Sequence, residues 1–160
     1  MRILGVDPAL GVTGYGIVEA QARGVFLIEA GVITTRPKNE TGARLQKIYS
    51  CINRLIKDTG PEVIVLEKIF SHYRHPTTSF ILGQARGVIC LSAAINDIAL
   101  VEYAATRVKK AVVGEGLASK MQVQRMIAQI FVLEKIPKYT DVTDALALAV
   151  AHYYIAGGRR

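Results

Sequence analysis

Val63 to Leu66 is an unbroken apolar run, Val-Ile-Val-Leu, that follows Gly60-Pro61 and stops on Glu67. A half-exposed strand alternates apolar and polar residues, whereas a continuous run of this length suits a strand covered on both faces. Such cover is supplied by helices on either side of a sheet, so this segment points to an α/β architecture. Arg2 to Asp7 is a second strand pattern, stopped by Pro8 and Gly11 and also ending on a carboxylate.

Val12 to Glu19 and Val25 to Thr35 read as further strands separated by the turn-like Ala22-Arg23-Gly24, which makes the opening an antiparallel meander. Gly14 and Gly16 suit a bulge or a close backbone approach. From Ala43 to Lys57 the residues Leu45, Ile48, Ile52, Leu55 and Ile56 recur at helical steps, and Gly60-Pro61 ends that amphipathic helix. Thr77 to Ile98 predicts a helix that is apolar around most of its circumference, with Gly83 and Gly87 four apart. It is either deeply buried or an oligomer contact. Leu100 to Tyr103 is a short fifth strand, followed by helices over Thr106 to Val113, Ser119 to Phe131 and about Thr140 to Ile155. The order β-β-β-α-β-α-β-α-α-α predicts one mixed five-stranded sheet flanked by helices, as a single domain over residues 1–160.

Basic residues number 20 against 13 acids, for a net charge of +7, which favours a polyanionic partner such as nucleic acid. The surplus is uneven. Between Tyr103 and Lys138 stand Arg107, Lys109, Lys110, Lys120, Arg125, Lys135 and Lys138 against only Glu115 and Glu134. A merely solvated basic face is the competing explanation. Cys51 and Cys90 lie in helical patterns without zinc-finger spacing, and read as buried free thiols of a reducing compartment. No leader pattern precedes the first strand. Gln84, Arg86, Asn96 and Asp97 interrupt the longest apolar stretch, at positions that would be costly in a bilayer. The expectation is a cytoplasmic protein with no membrane span.

Asp7 and Glu67 both end strands, and open α/β sheets place ligands beyond the carboxyl ends of their strands. If these two strands are parallel neighbours, the carboxylates meet. Asp141 and Asp144, three residues apart at the start of the last helix, project about 60° from one another on one face. Four carboxylates drawn together would repel, and divalent cations are the natural neutraliser. Oxygen-only ligands select Mg²⁺ or Mn²⁺ over zinc. Two such ions about 4 Å apart suit phosphodiester hydrolysis, activating a water and stabilising the leaving 3′ oxygen. Individually the acids have plainer readings: Asp7 opening a turn before Pro8, Asp141 and Asp144 complementing a helix dipole.

Lys109 and Lys120 are the preferred phosphate ligands of the basic segment, joined by Arg107 and Lys110. Phe70, three residues past Glu67, is placed to stack on or wedge between exposed bases, and a buried loop aromatic is the alternative. His72, Tyr73, Arg74 and His75 make that loop polar and basic, with Arg74 a candidate DNA contact. His152 lies about 12 Å along the helix from Asp144, too far to share its metal, and is expected to be a polar core neighbour.

The chain resembles the bacterial RuvC family along almost its whole length: ILGVDP to VTGYG (Ile3 to Gly16), LEKIF (Leu66 to Phe70), LGQARGV (Leu82 to Val88), EYAATRVKKAVVGEG (Glu102 to Gly116), ASK (Ala118 to Lys120) and DVTDALALAVAH (Asp141 to His152). The resemblance implies a ribonuclease-H-like fold and a homodimer that binds four-way DNA junctions and nicks two strands of like polarity. Asp7, Glu67, Asp141 and Asp144 match the family's catalytic, metal-holding positions; Lys109 and Lys120 match positions important for DNA, and Phe70 the aromatic at the junction centre. It further implies the branch-migration proteins RuvA and RuvB as partners and a thymine-containing cleavage preference. The chain departs from the family's usual pattern at Ala9-Leu10, in place of Gly-Ser, and at Lys68, in place of an uncharged polar residue. Alanine at position 9 resists the positive φ that glycine permits.

Two other functions fit parts of this pattern. A glycine-rich turn after an aspartate strand also occurs in actin-like phosphotransferases, which usually need two such domains to enclose ATP. A non-catalytic junction-binding protein would use the acids structurally.

Overall fold

The computed structural model describes residues 1–69 and 76–157. Its elements are β1 (Arg2–Asp7), β2 (Val12–Gln21), β3 (Gly24–Thr34), α1 (Thr41–Thr59), β4 (Val63–Glu67), α2 (Pro76–Ile95), β5 (Ala99–Tyr103), α3 (Ala105–Val113), α4 (Lys120–Ile130) and α5 (Thr140–His152), followed by a π-helical turn over Tyr153–Gly157. The strands form one sheet in the order β3-β2-β1-β4-β5, antiparallel through β1, β2 and β3 and parallel through β1, β4 and β5. The predicted mixed five-stranded sheet is the one observed.

Strand alternation divides the core in two. Leu4, Val6, Ile17, Ile64 and Leu66 face α1 and α2, where they meet Ile48, Ile52, Ala85 and Ile89. Ile3, Val18, Val63 and Val65 point the other way, onto α5 and the apolar faces of α3 and α4. The unbroken apolar run is thus a strand covered on both sides. By the same period of two, Asp7 follows Ile3 and Gly5, and Glu67 follows Val63 and Val65, so both carboxylates belong to the face that α5 covers.

Helix α5 lies unusually close to that face because β1 and β2 present glycines to it. A methyl at Gly5 would stand 2.0 Å from the Ala145 carbonyl oxygen, and one at Gly14 would stand 2.1 Å from the Asp141 carbonyl oxygen. The close approach expected of Gly14 is therefore to the start of α5, and Gly5 extends it one turn further. Gly5→Ala is expected to lower the unfolding free energy by about 3 kcal/mol, because a helix backbone must move to admit the methyl. Denaturant titration checks this; an unchanged midpoint would show that α5 can retreat freely.

Many boundaries move by one to three residues from the sequence-based expectation, and three of the shifts have a visible cause. Helix α2 ends at Ile95 rather than Ile98, since Asp97 takes a positive φ of 52° and the Asn96 side chain turns back to the Ser92 carbonyl at 2.7 Å. Helix α5 ends at His152 rather than Ile155, its ladder widening into the π turn. Helix α4 starts at Lys120, with Ser119 outside it as the cap. The two cysteines are free, as expected, but only half-buried.

Helix α2 is long and apolar enough to cross a bilayer by length and composition. Its Ala85, Ile89 and Ala93 instead pack on the sheet, and Arg86 in its middle pairs with Glu102 of β5. Its other side is left open by the described residues: Phe80 is 74% exposed, Leu91 54% and Ile95 56%. The alternative of deep burial is thereby corrected; the helix is half a layer of core and half an open apolar face.

Candidate active site

Asp7 and Glu67 stand at adjacent strand ends, one step beyond the pairing of Val6 with Leu66. Asp7 is also opposite Gly14, against which the start of α5 rests, and this brings Asp141 and Asp144 to the same place. The neighbouring Pro8-to-Thr13 turn is closed by Thr13, whose hydroxyl donates to the Ala9 carbonyl at 2.6 Å and accepts from the Ala9 amide at 3.2 Å. Ala9 does not take a positive φ, so the departure from glycine costs the turn nothing.

These carboxylates sense one another. The Asp7 carboxyl is raised from 3.8 to about 7, first by burial and then by Asp144, Asp141 and Glu67, with Lys120 opposing. Glu67 is raised by burial and Asp144, and lowered by Lys120 and Lys109. Lys120 is raised chiefly by Asp144, whose Oδ2 its amine approaches at 3.3 Å. Asp7, Glu67, Lys109, Lys120 and Asp144 line one cleft of about 400 Å³, together with Leu82 and Arg86 of α2.

Lys120 owes its position to the cap of α4. Ser119 Oγ accepts from the Gln122 amide at 3.3 Å while Gln122 Oε1 accepts from the Ser119 amide at 2.7 Å, a capping box that fixes the first turn. A lysine there opposes the helix dipole, a cost that Asp144 offsets and that an incoming phosphate would also offset.

Among the described residues, no group of three His, Cys, Asp or Glu side chains stands ready-gathered to hold a metal. The donor chemistry fits one nonetheless. The set is oxygen only, and Asp144, Asp141 and Glu67 add to burial in raising the Asp7 carboxyl, so a hard divalent cation would offset negative charge that in its absence is met by the Lys120 amine beside Asp144.

The family described as crossover junction endodeoxyribonuclease RuvC matches residues 3–152. The chain belongs to the RuvC family. It is 43% identical over 152 residues to the RuvC of Alkaliphilus metalliredigens, covering 95% of this chain and 92% of that one. It is 41% identical over 160 residues to the RuvC of Moorella thermoacetica, covering 100% and 95%. The solved structure of T. thermophilus RuvC in complex with Holliday junction substrate superposes with a TM-score of 0.91 at 28% identity, over 98% of this chain and 94% of that one. The fold is ribonuclease-H-like, and the RuvC family's chemistry uses a divalent metal.

Of the residues singled out in the sequence, this RuvC-family fold brings Asp7, Glu67, Asp144, Lys109 and Lys120 to the cleft, with Asp141 beside Asp7. Two expected DNA contacts are not among the residues lining it: the Arg107 guanidinium lies 5.2 Å over the Tyr103 ring, and Lys110 occupies the last turn of α3. Phe70, His72, Tyr73, Arg74 and His75 lie outside the described residues. His152 is buried, with Nδ1 3.0 Å from the Tyr103 hydroxyl, and is the polar core neighbour expected. Sequence reading missed Arg86 of the cleft wall; its signal was a lone cation inside an apolar helical pattern.

Proposed function

We infer that this crossover junction endodeoxyribonuclease hydrolyses the scissile phosphodiesters at the cleft over Asp7, Glu67, Asp141 and Asp144, using Mg²⁺, or Mn²⁺ in its place, with two ions per site. The observation that carries this reading is that Asp7 and Glu67, at the adjacent ends of two parallel strands, share one cleft with Asp144 of α5 and with Lys109 and Lys120. The four acids would hold the cation, which when bound supplies positive charge to the reacting phosphate and a more acidic water. Lys109 and Lys120 hold the phosphate backbone against the acids, and Lys120 exchanges Asp144 for phosphate as the strand enters. Lys110, Arg107, Arg74 and Phe70 are further DNA contacts of the enzyme. The substrate is the four-way junction, and RuvA and RuvB act with the enzyme on it in the cytoplasm.

The protein works as a homodimer through α2. Phe80, Gly87 and Leu91 recur at seven- and four-residue steps along its uncovered side, and the positions of Gly83 and Gly87 have open space above them. Two-fold symmetry then sets two clefts on one junction for paired nicks. Leu91→Glu is expected to raise the dimer dissociation constant by about a hundredfold, since a leucine side chain withdrawn from water contributes about 1.5–3 kcal/mol and each 1.4 kcal/mol is tenfold. Sedimentation over a concentration series checks it, and an unchanged mass at every dilution would move the interface elsewhere.

Labelled synthetic junction and linear duplex, each with magnesium and with chelator, test the activity as a whole. Paired nicks in the junction alone, dependent on magnesium, are expected. Junction binding with no nicking would favour the purely architectural reading.

A further inference from the structure

The geometry points to Arg86 as a positioning residue that straps the dimer-facing helix α2 to the strand end carrying Glu67. The inference rests on the reading of Glu67 as a metal ligand and of α2 as the dimer helix. Arg86 Nη1 donates to the Glu67 carbonyl oxygen at 2.9 Å, and Nη2 pairs with the Glu102 carboxylate. Glu102 is on β5 directly beside Leu66, and Tyr103 is beside Glu67, so one guanidinium spans the last rungs of the parallel ladder. A further backbone bond, from the Lys68 amide to the Tyr103 carbonyl at 2.8 Å, closes the same corner.

Packing alone does not explain an arginine here. Its side chain is 13% exposed and lies next to fully buried Ala85, where an aliphatic residue would serve without the cost of withdrawing a guanidinium from water. A planar fork that reaches two acceptors at once fixes a direction as well as a distance. The acceptors are the backbone of a cleft carboxylate and its neighbour in the sheet. On its far side the same helix presents Phe80, Leu91 and Ile95. A shift of α2 at the dimer contact therefore pulls on the Glu67 backbone through Arg86, which ties subunit pairing to the geometry of each cleft.

The test compares Arg86→Met, Arg86→Lys, Glu102→Gln and Glu67→Gln in the full chain. Three quantities are read: Mn²⁺ binding to the DNA-free protein by the EPR signal of unbound ion, junction affinity in chelator, and single-turnover cleavage against magnesium concentration. Arg86→Met is expected to weaken Mn²⁺ binding and raise the magnesium midpoint by about 10–100-fold, the usual cost of losing a support to a metal ligand, with junction affinity unchanged. Arg86→Lys keeps the charge but not the fork and is expected between Met and wild type; Glu102→Gln should shift both midpoints in the same direction by less. If Arg86→Met does not fold, Arg86→Lys carries the test. A lowered melting temperature with wild-type Mn²⁺ binding and magnesium midpoint would reduce Arg86 to a structural residue and overturn the inference. Glu67→Gln separates the two levels: if it binds Mn²⁺ and cleaves as wild type, the assignment of Glu67 is wrong. If it loses both while the Arg86 variants keep them, only the strap is wrong.

Discussion

Asp7→Asn is expected to lower junction cleavage more than about a thousandfold, well beyond the 10–100-fold that follows loss of a supporting partner, while junction binding in chelator stays at the wild-type level. Asp7 has Asp144, Asp141 and Glu67 as electrostatic neighbours, and burial holds its carboxyl at about 7 until a cation replaces the proton. The asparagine amide keeps the shape and one oxygen but carries no charge. DNA affinity rests on the basic side of the cleft, Lys109 and Lys120, which the substitution leaves in place. Removing one of four crowded acids should even ease the approach of a polyanion. Single-turnover cleavage and gel-shift titration on one preparation check both halves, and cleavage near the wild-type rate would dissolve the metal-site assignment.

Stability should carry the same signature with its sign reversed from that of most folded carboxylates. Without metal, the contribution of Asp7 to stability is expected to fall as pH rises from about 4 to about 7, then to level off. Between 3.8 and about 7 the folded chain keeps a proton on Asp7 that the unfolded chain has released, so raising the pH favours unfolding throughout that window. Each pH unit is worth about 1.4 kcal/mol, which brings the full loss toward about 4 kcal/mol. Glu67, raised by burial and Asp144, adds to it. His152 works the other way as pH falls below 6.5, because burial lowers its ring. His152 is present in both proteins, so the difference between wild type and Asp7→Asn isolates the carboxylate. Urea unfolding at pH 5 and pH 8 in chelator should show a variant that gains on wild type at pH 8. Magnesium, binding only the folded form, should restore wild type there. A difference that does not vary with pH contradicts the account.

The parts of this fold governed by local periodicity were legible from the residues alone. Val63 to Leu66 announced a doubly covered strand, and Asp7 and Glu67 at the ends of two strands announced their meeting. Glycine 14 signalled a close approach, although only the fold identifies its neighbour as the start of α5. Gly5 gave no such signal, because a glycine inside a short strand has several uses and its partner lies about 140 residues away in Ala145. Helix α2 was ambiguous for a physical reason: a helix apolar all round does not tell which side meets the sheet, and that side is chosen by Ala85, Ile89 and Ala93 against Leu66 and its neighbours. Its early end depends on the Asn96 side chain returning to Ser92, a contest between cap and helix that propensity does not resolve. Arg107 belongs to the basic segment by charge, and its place over the Tyr103 ring depends on the strand-to-helix connection between β5 and α3 rather than on composition.

The most direct test of the carboxylate cluster is anomalous scattering from crystals of the metal-free protein soaked in Mn²⁺. Mn²⁺ peaks are expected within the cluster of Asp7, Glu67, Asp141 and Asp144, in contact with carboxylate oxygens, with the Lys120 amine withdrawn from Asp144 and the peaks lost in Asp7→Asn. A full-occupancy peak elsewhere with this cluster empty, or one here that persists unchanged in Asp7→Asn, would contradict the metal-site assignment.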